Sequence, residues 1–178
     1  VESCCTLLLE TSTMRVEVLT LYKVADFVTR SNDFSVQVEL FDKHHQRLFQ
    51  LVDKLYQAMR DGSSKDTLEH VFDELLAYTG YHFQAEERAF EMYDYPGCNR
   101  QKKEHAELVT QAVKLREDLR AGKSMVAVEV MEFLRDWLTK HIKGCDRLYA
   151  DFLKNKDMSQ VMKEIESEVD GPATVTTA

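Results

Sequence analysis

The chain has 178 residues, 44% of them hydrophobic, with only 2 Pro and 6 Gly. That is enough for one domain with a real core, and it argues for long uninterrupted helices. The formal net charge is -8, with acids and bases interspersed and no basic stripe, which argues against nucleic acid as a partner, and no apolar run approaches the roughly 18 residues of a membrane span. Cys4 and Cys5 are adjacent, while Cys98 and Cys145 lie far apart. That is no disulfide framework, and it reads as a reduced, cytoplasmic chain. The first residue is Val1 rather than Met, which reads as processing or excision from something longer. Leu7, Leu8 and Leu9 are too short an apolar run for a signal peptide.

Residues 1–33 are mixed. Val16, Leu19, Tyr22, Val24, Phe27 and Val28 are roughly helical in spacing, and the segment reads equally as a tail helix packing on the domain or as the end of an upstream linker. From Phe34 to Phe41, Val36, Val38 and Leu40 alternate with no partner strand nearby, so the expectation is an extended arm covering a bundle. The first long helix is expected from about Val38 or Asp42 to Met59, with Leu48, Leu51, Val52 and Leu55 inside. Asp61-Gly62-Ser63-Ser64 ends it.

A second helix is expected over about Lys65 to Tyr93, burying Leu68, Val71, Phe72, Leu75 and Leu76, until Tyr95-Pro96-Gly97 breaks it. The third runs from about Cys98 to Leu119 with Leu108, Val109 and Val113 inside, and turns at Ala121-Gly122-Lys123. The fourth covers about Ser124 to Leu153, with a bend expected near Gly144. Four helices with short connections make an all-α, up-down-up-down four-helix bundle with an N-terminal extended arm. The expected organisation is an extension or linker over 1–33, the bundle over 34–154, an amphipathic helical extension over 155–170 (Met158, Val161, Met162, Ile165, Val169) and a disordered tail over 171–178.

Six residues stand out as ligands for a pair of metal ions. His82 and Glu86 are four apart and share a helix face. So do Gln101 and His105 on the next helix, and Trp137 and His141 on the last, where Asp146 follows at plus five. His45 lies one turn after Asp42 on the first helix. A four-helix bundle can aim such residues at one central cavity. Imidazole suits iron as a neutral donor, and two carboxylates can bridge two ions and offset their charge. Any one of these histidines alone reads more readily as core or surface, and Asp146 alone as a cap or ion pair. It is their convergence that chance explains poorly. Spacing alone leaves zinc or manganese open. His70 has no such support and reads as structural or surface. Cys98 and Cys145 read as free buried thiols.

At these residues the chain resembles the hemerythrin family, in particular its bacterial branch. The resemblance runs from about Phe34 to Leu153. It rests on Phe34 through Phe49 including Asp42, His45 and Leu48, on Tyr78 through Glu87 including His82 and Glu86, on Tyr95-Pro96, on Glu104-His105, and on Trp137 through Asp146 including His141. It implies two non-heme iron ions, Fe2+ or Fe3+, with a bridging oxo or hydroxo group. His45 and His82 would hold one iron, and His105 and His141 the other with a third histidine, while Glu86 and Asp146 bridge. His44 could compete, but Asp42 and Leu48 fit the family pattern at minus three and plus three from His45.

The third histidine of the second iron should stand six residues after Tyr95, where this chain has Gln101. Three outcomes follow: weak ligation through the amide oxygen, water in its place, or a second open iron. Trp137 and Leu138 match residues sheltering the oxygen pocket, and Phe49 and Phe83 add to that wall. Ordinary bundle core is the alternative role for all four.

The function this implies is an oxygen-binding, redox-sensing domain. Its diferrous site would react with O2 to become diferric, and it would serve as the sensory module of a larger bacterial signalling protein. The ligand would be O2 or another small diatomic or peroxide, the partner a covalently linked output domain, and any output enzyme would lie outside this chain. Three alternatives stay open: an oxygen store or carrier, a di-iron enzyme reducing peroxide or nitric oxide, and a metal-poor helical interaction module.

Overall fold

The computed structural model describes residues 34–122 and 126–169. The expectations for residues 1–33, including Cys4 and Cys5, and for the tail beyond 170 lie outside these. The described residues are helical with no strand: α1 (Glu39–Arg60), α2 (Lys65–Met92), α3 (Cys98–Arg120), α4 (Val126–Trp137), a π-helical segment (Leu138–Asp146), α5 (Arg147–Leu153) and α6 (Ser159–Val169). Helix α1 packs on α2, α2 on α3, α3 on α4, and α4 returns to α1, closing the expected bundle. From Val126 to Leu153, α4, the π segment and α5 succeed one another without a break as the fourth rod.

The ends of the helices follow from local chemistry. Ser64 caps α2 by accepting from the Thr67 N–H at 3.3 Å. α1 closes with Ser63 N–H to Ala58 O at 2.9 Å and Gly62 N–H to Met59 O at 3.2 Å, a Schellman turn that needs Gly62 at φ 65°. Asp94 takes the same left-handed position after α2, at φ 53°, with Tyr95 N–H reaching Phe90 O at 2.8 Å. Asp tolerates that conformation better than most residues.

Helix begins at Glu39, next to the earlier of the two expected starts, so Leu40 and Phe41 belong to its first turn and residues 34–38 form the arm. Asp42 holds that arm. Its carboxylate accepts from Ser35 Oγ and from the Val36 N–H, both at 2.7 Å, drawing the chain back over the start of α1. Phe34, Val36 and Val38 are buried there.

The inner stripe of α1 is as expected, with Leu48, Leu51, Val52 and Leu55 buried; on α2, Val71, Phe72 and Leu75 are buried, while Leu68 and Leu76 are half-buried at its edge. On α3 the reading was rotated. Val109 and Val113 are 37% and 39% exposed, and the buried face carries Gln101, His105, Ala112 and Leu119. At about 100° per residue, Ala112 and Leu119 fall within about 20° of Gln101, whereas Val109 and Val113 lie about 80° and 120° round from it, at the edge of the buried face; Leu108, also expected inside, is half-buried against the core. Helix α6 lays Val161 and Ile165 into the core, against α2.

Candidate metal centre

Four helical rods each place part of one polar cluster inside an otherwise apolar core. His45 comes from α1, His82 and Glu86 from α2, His105 and Gln101 from α3, and His141 and Asp146 from the π segment. All seven are 0–4% exposed. The i, i+4 pairs need only an ordinary helix. His141 and Asp146 are five apart, which in an α-helix would separate them by about 140°. The π-helical wind pairs residues five apart, so both face the same cavity. Gly144, where a bend was expected, lies within this wider wind.

The ligand atoms form two overlapping quartets, His45–His82–Glu86–Asp146 and Glu86–His105–His141–Asp146, each with all atoms within 4.8 Å of one another. The carboxylates divide their oxygens between the two. Glu86 Oε1 lies 3.9 Å from His45 Nε2 and 3.6 Å from His82 Nε2, while its Oε2 lies 3.2 Å from His105 Nε2. Asp146 Oδ2 is 3.4 Å from His45 Nε2, and Oδ1 is 3.3 Å from His141 Nε2. His44, although 5% exposed, belongs to neither quartet. Its ring sits among Tyr81, His82 and Tyr78, at 5.2, 5.7 and 6.0 Å.

Most of these atoms are close without being hydrogen-bonded. His45 Nε2, His105 Nε2, His141 Nε2, Glu86 Oε2, both Asp146 oxygens and Gln101 Oε1 are buried with no hydrogen-bond partner. Each such group costs about 1–3 kcal/mol, more when charged, and native interiors rarely carry more than a few. A cluster of nitrogen and carboxylate donors left unsatisfied together fits cations held between them.

The charges oppose one another. Burial raises Glu86, but the surrounding His82, His105 and His45 hold it well below the usual carboxylate range. Burial and the Glu86 charge push Asp146 up. Burial drives His82 and His141 down, toward the neutral form a metal requires. It also lowers His105, but the Glu86 and Glu87 carboxylates outweigh it and raise that ring to about 9.

Tyr149 was missed in the sequence, and Glu87 was seen only as a neighbour offering the same chemistry as Glu86. Tyr149 is fully buried, and its hydroxyl donates a short hydrogen bond to Glu86 Oε1. Its place one turn after Asp146 was the available signal. Glu87 does not substitute for Glu86. It lies one position round the helix, half-exposed, and meets His105 Nδ1 at 2.8 Å, so that Nε2 faces inward.

Of the expected pocket residues, Phe83 stacks on His105 at 3.8 Å and meets His141 and Trp137 edge-on at 5.5 and 6.1 Å. Trp137 and Leu138 are buried beside the site. Phe49 is half-buried and meets Phe34 of the arm edge-on at 4.9 Å. An apolar cavity of about 10 Å³ lies between Phe72, Thr79, Leu134 and Trp137. His70 is exposed. Cys98 and Cys145 are free and half-buried, and burial raises both thiols.

A closed four-helix bundle with two histidine–carboxylate quartets in its centre is the architecture of a metal-binding bundle protein. Residues 36–153 match the model of the hemerythrin HHE cation binding domain, and the chain belongs to the hemerythrin family. It is 29% identical over 136 residues to a bacteriohemerythrin of Stenotrophomonas maltophilia, covering 76% of this chain and 87% of that one. It is 31% identical over 121 residues to one from Methylococcus capsulatus, covering 68% and 92%. Among solved structures, a mutant hemerythrin superposes with a TM-score of 0.65 at 29% identity, covering 70% of this chain and 95% of that one. This is a hemerythrin-like domain, of the class that binds iron and oxygen, and no described helix is long and apolar enough to cross a membrane.

Proposed function

We propose that this domain holds two non-heme irons and responds to O2 through their oxidation state, as the sensory part of a bacterial signalling protein in the cytoplasm. His45 and His82 hold one ion, His105 and His141 the other, and Glu86 and Asp146 bridge them. The observation that carries this is the division of each carboxylate, with one oxygen toward each group of histidines. When bound, the irons supply reversible electron transfer and a position for a small ligand. The chain does the rest. Four imidazoles, neutral once they hold metal, would leave the pair less anionic than a carboxylate-rich site, Glu87 and Tyr149 fix the ligands that they touch, and Phe83, Trp137 and Leu138 exclude water.

Helix α2 supports a sensing role over simple carriage. It carries His82 and Glu86, and α6 is fastened along it. Val161 and Ile165 are buried, Arg88 pairs with Glu164 at 3.6 Å, and the Tyr93 hydroxyl donates to Asp157 O at 2.5 Å. A shift of α2 when the site changes charge therefore reaches the C-terminal extension directly.

Iron content, with optical spectra of the anaerobically reduced protein before and after a pulse of air, tests the proposal. Two irons per chain and the absorption of a bridged ferric pair appearing on air are expected. One iron or none, with no spectral response, refutes it. Oxidation within seconds fits sensing, and a ligand-bound spectrum that persists and reverses under vacuum fits carriage.

A further inference from the structure

Gln101 stands where the family pattern has a third histidine, and it is 0% exposed. Its position four residues before His105 puts it on the same inward face of α3. Its amide has two ends with different fates. Nε2 donates to Cys145 O at 2.8 Å, which fixes the plane of the side chain. Oε1 is buried with no hydrogen-bond partner. If Gln101 served only to tie α3 to the π segment, the hydrogen bond from Nε2 would account for half the amide and leave its oxygen at a cost of about 1–3 kcal/mol.

We infer that Gln101 is a metal ligand through Oε1, completing the donor set of the ion held by His105 and His141. The inference rests on the two-metal reading above. An amide oxygen is a neutral donor that suits harder ions, as backbone and Asn/Gln carbonyls do elsewhere. The two metal positions are then chemically unequal: two imidazoles with carboxylate oxygens on one side, and two imidazoles, an amide oxygen and carboxylate oxygens on the other. The residue that receives the Nε2 hydrogen bond is Cys145, the immediate neighbour of Asp146. The same side chain thus supplies a donor atom and steadies the turn that presents a bridging carboxylate.

The test is anaerobic titration of the metal-stripped full chain with Co2+, and separately with Fe2+, following uptake per chain and the visible spectrum of the cobalt form. The wild type is expected to take up two ions in two distinguishable steps. Gln101→Leu keeps the bulk and removes the donor. It should weaken one of the two steps by about tenfold or more while the other is unchanged. Gln101→His restores a donor and should bring the weakened step back to wild-type strength or beyond. Two unchanged steps in Gln101→Leu overturn the assignment. So does equal weakening of both steps, which marks a purely structural clamp, or a Gln101→His protein as weak as Gln101→Leu. Failure of the wild type to bind two ions would instead refute the two-metal reading itself.

Discussion

Tyr149→Phe isolates one hydrogen bond inside the centre. The substitution removes an oxygen and its proton and leaves the ring, which is held by Phe90 at 5.1 Å, Phe41 at 5.7 Å and Tyr95 at 6.5 Å. Packing is therefore preserved, and the loss is confined to the donor for Glu86 Oε1. Glu86 is fully buried and its Oε2 is already without a hydrogen-bond partner. A hydrogen bond to a charged group contributes about 1.5–3 kcal/mol. For a domain of this size, a loss of about 2 kcal/mol lowers the melting temperature by about 4–8 °C.

The assay is thermal unfolding by far-ultraviolet circular dichroism, on protein stripped of metal and on protein loaded with two equivalents of Fe2+ under nitrogen. The drop should be larger in the stripped protein, where no cation shares the carboxylate charge. A Tyr149→Phe protein melting within a degree of wild type in the stripped state would refute the idea that this hydroxyl holds an ionised Glu86.

Metal stoichiometry should separate terminal from bridging ligands: His82→Ala is expected to retain one ion after desalting and Glu86→Ala neither, as read by elemental analysis. Leu138→Ala, at a residue with no exposure, should cost about 2–5 kcal/mol in urea unfolding and speed air oxidation by admitting water. Gly97→Ala places a Cβ 2.5 Å from the Tyr95 ring. It should destabilise by about 1–3 kcal/mol, with a changed Tyr95 resonance in NMR. Hydrogen bonding to Arg116 holds Asp73 below its ordinary 3.8. A depressed carboxylate contributes stability that is present above that value and lost as pH falls through its folded pKa. Arg116→Leu should therefore move the Asp73 carboxyl resonance titration up toward 3.8 and shrink the acid-side loss of stability.

Periodicity and breakers made the four rods legible, because apolar stripes and Gly, Pro and Asp turns are local properties of the chain. The six candidate positions that the fold brings together were legible for the same reason. His82 and Glu86, like Gln101 and His105, need nothing beyond helical spacing to share a face. Three things were settled only by the tertiary structure. The face that α3 buries was one: Val109 and Val113 are as apolar as any core residue, and only the packing of Gln101, His105, Ala112 and Leu119 inward leaves them at its exposed edge. The second was the π wind, since the interval of five between His141 and Asp146 gives no clue that the helix widens to bring them together. The third was the surroundings of the ligands. Tyr149 on Glu86, Glu87 on His105 and Cys145 O on Gln101 are contacts between residues 18 to 63 positions apart along the chain. Sequence spacing carries which residues share a helix face. Which faces meet, and which lone pair is left without a partner, is decided by packing the four rods together.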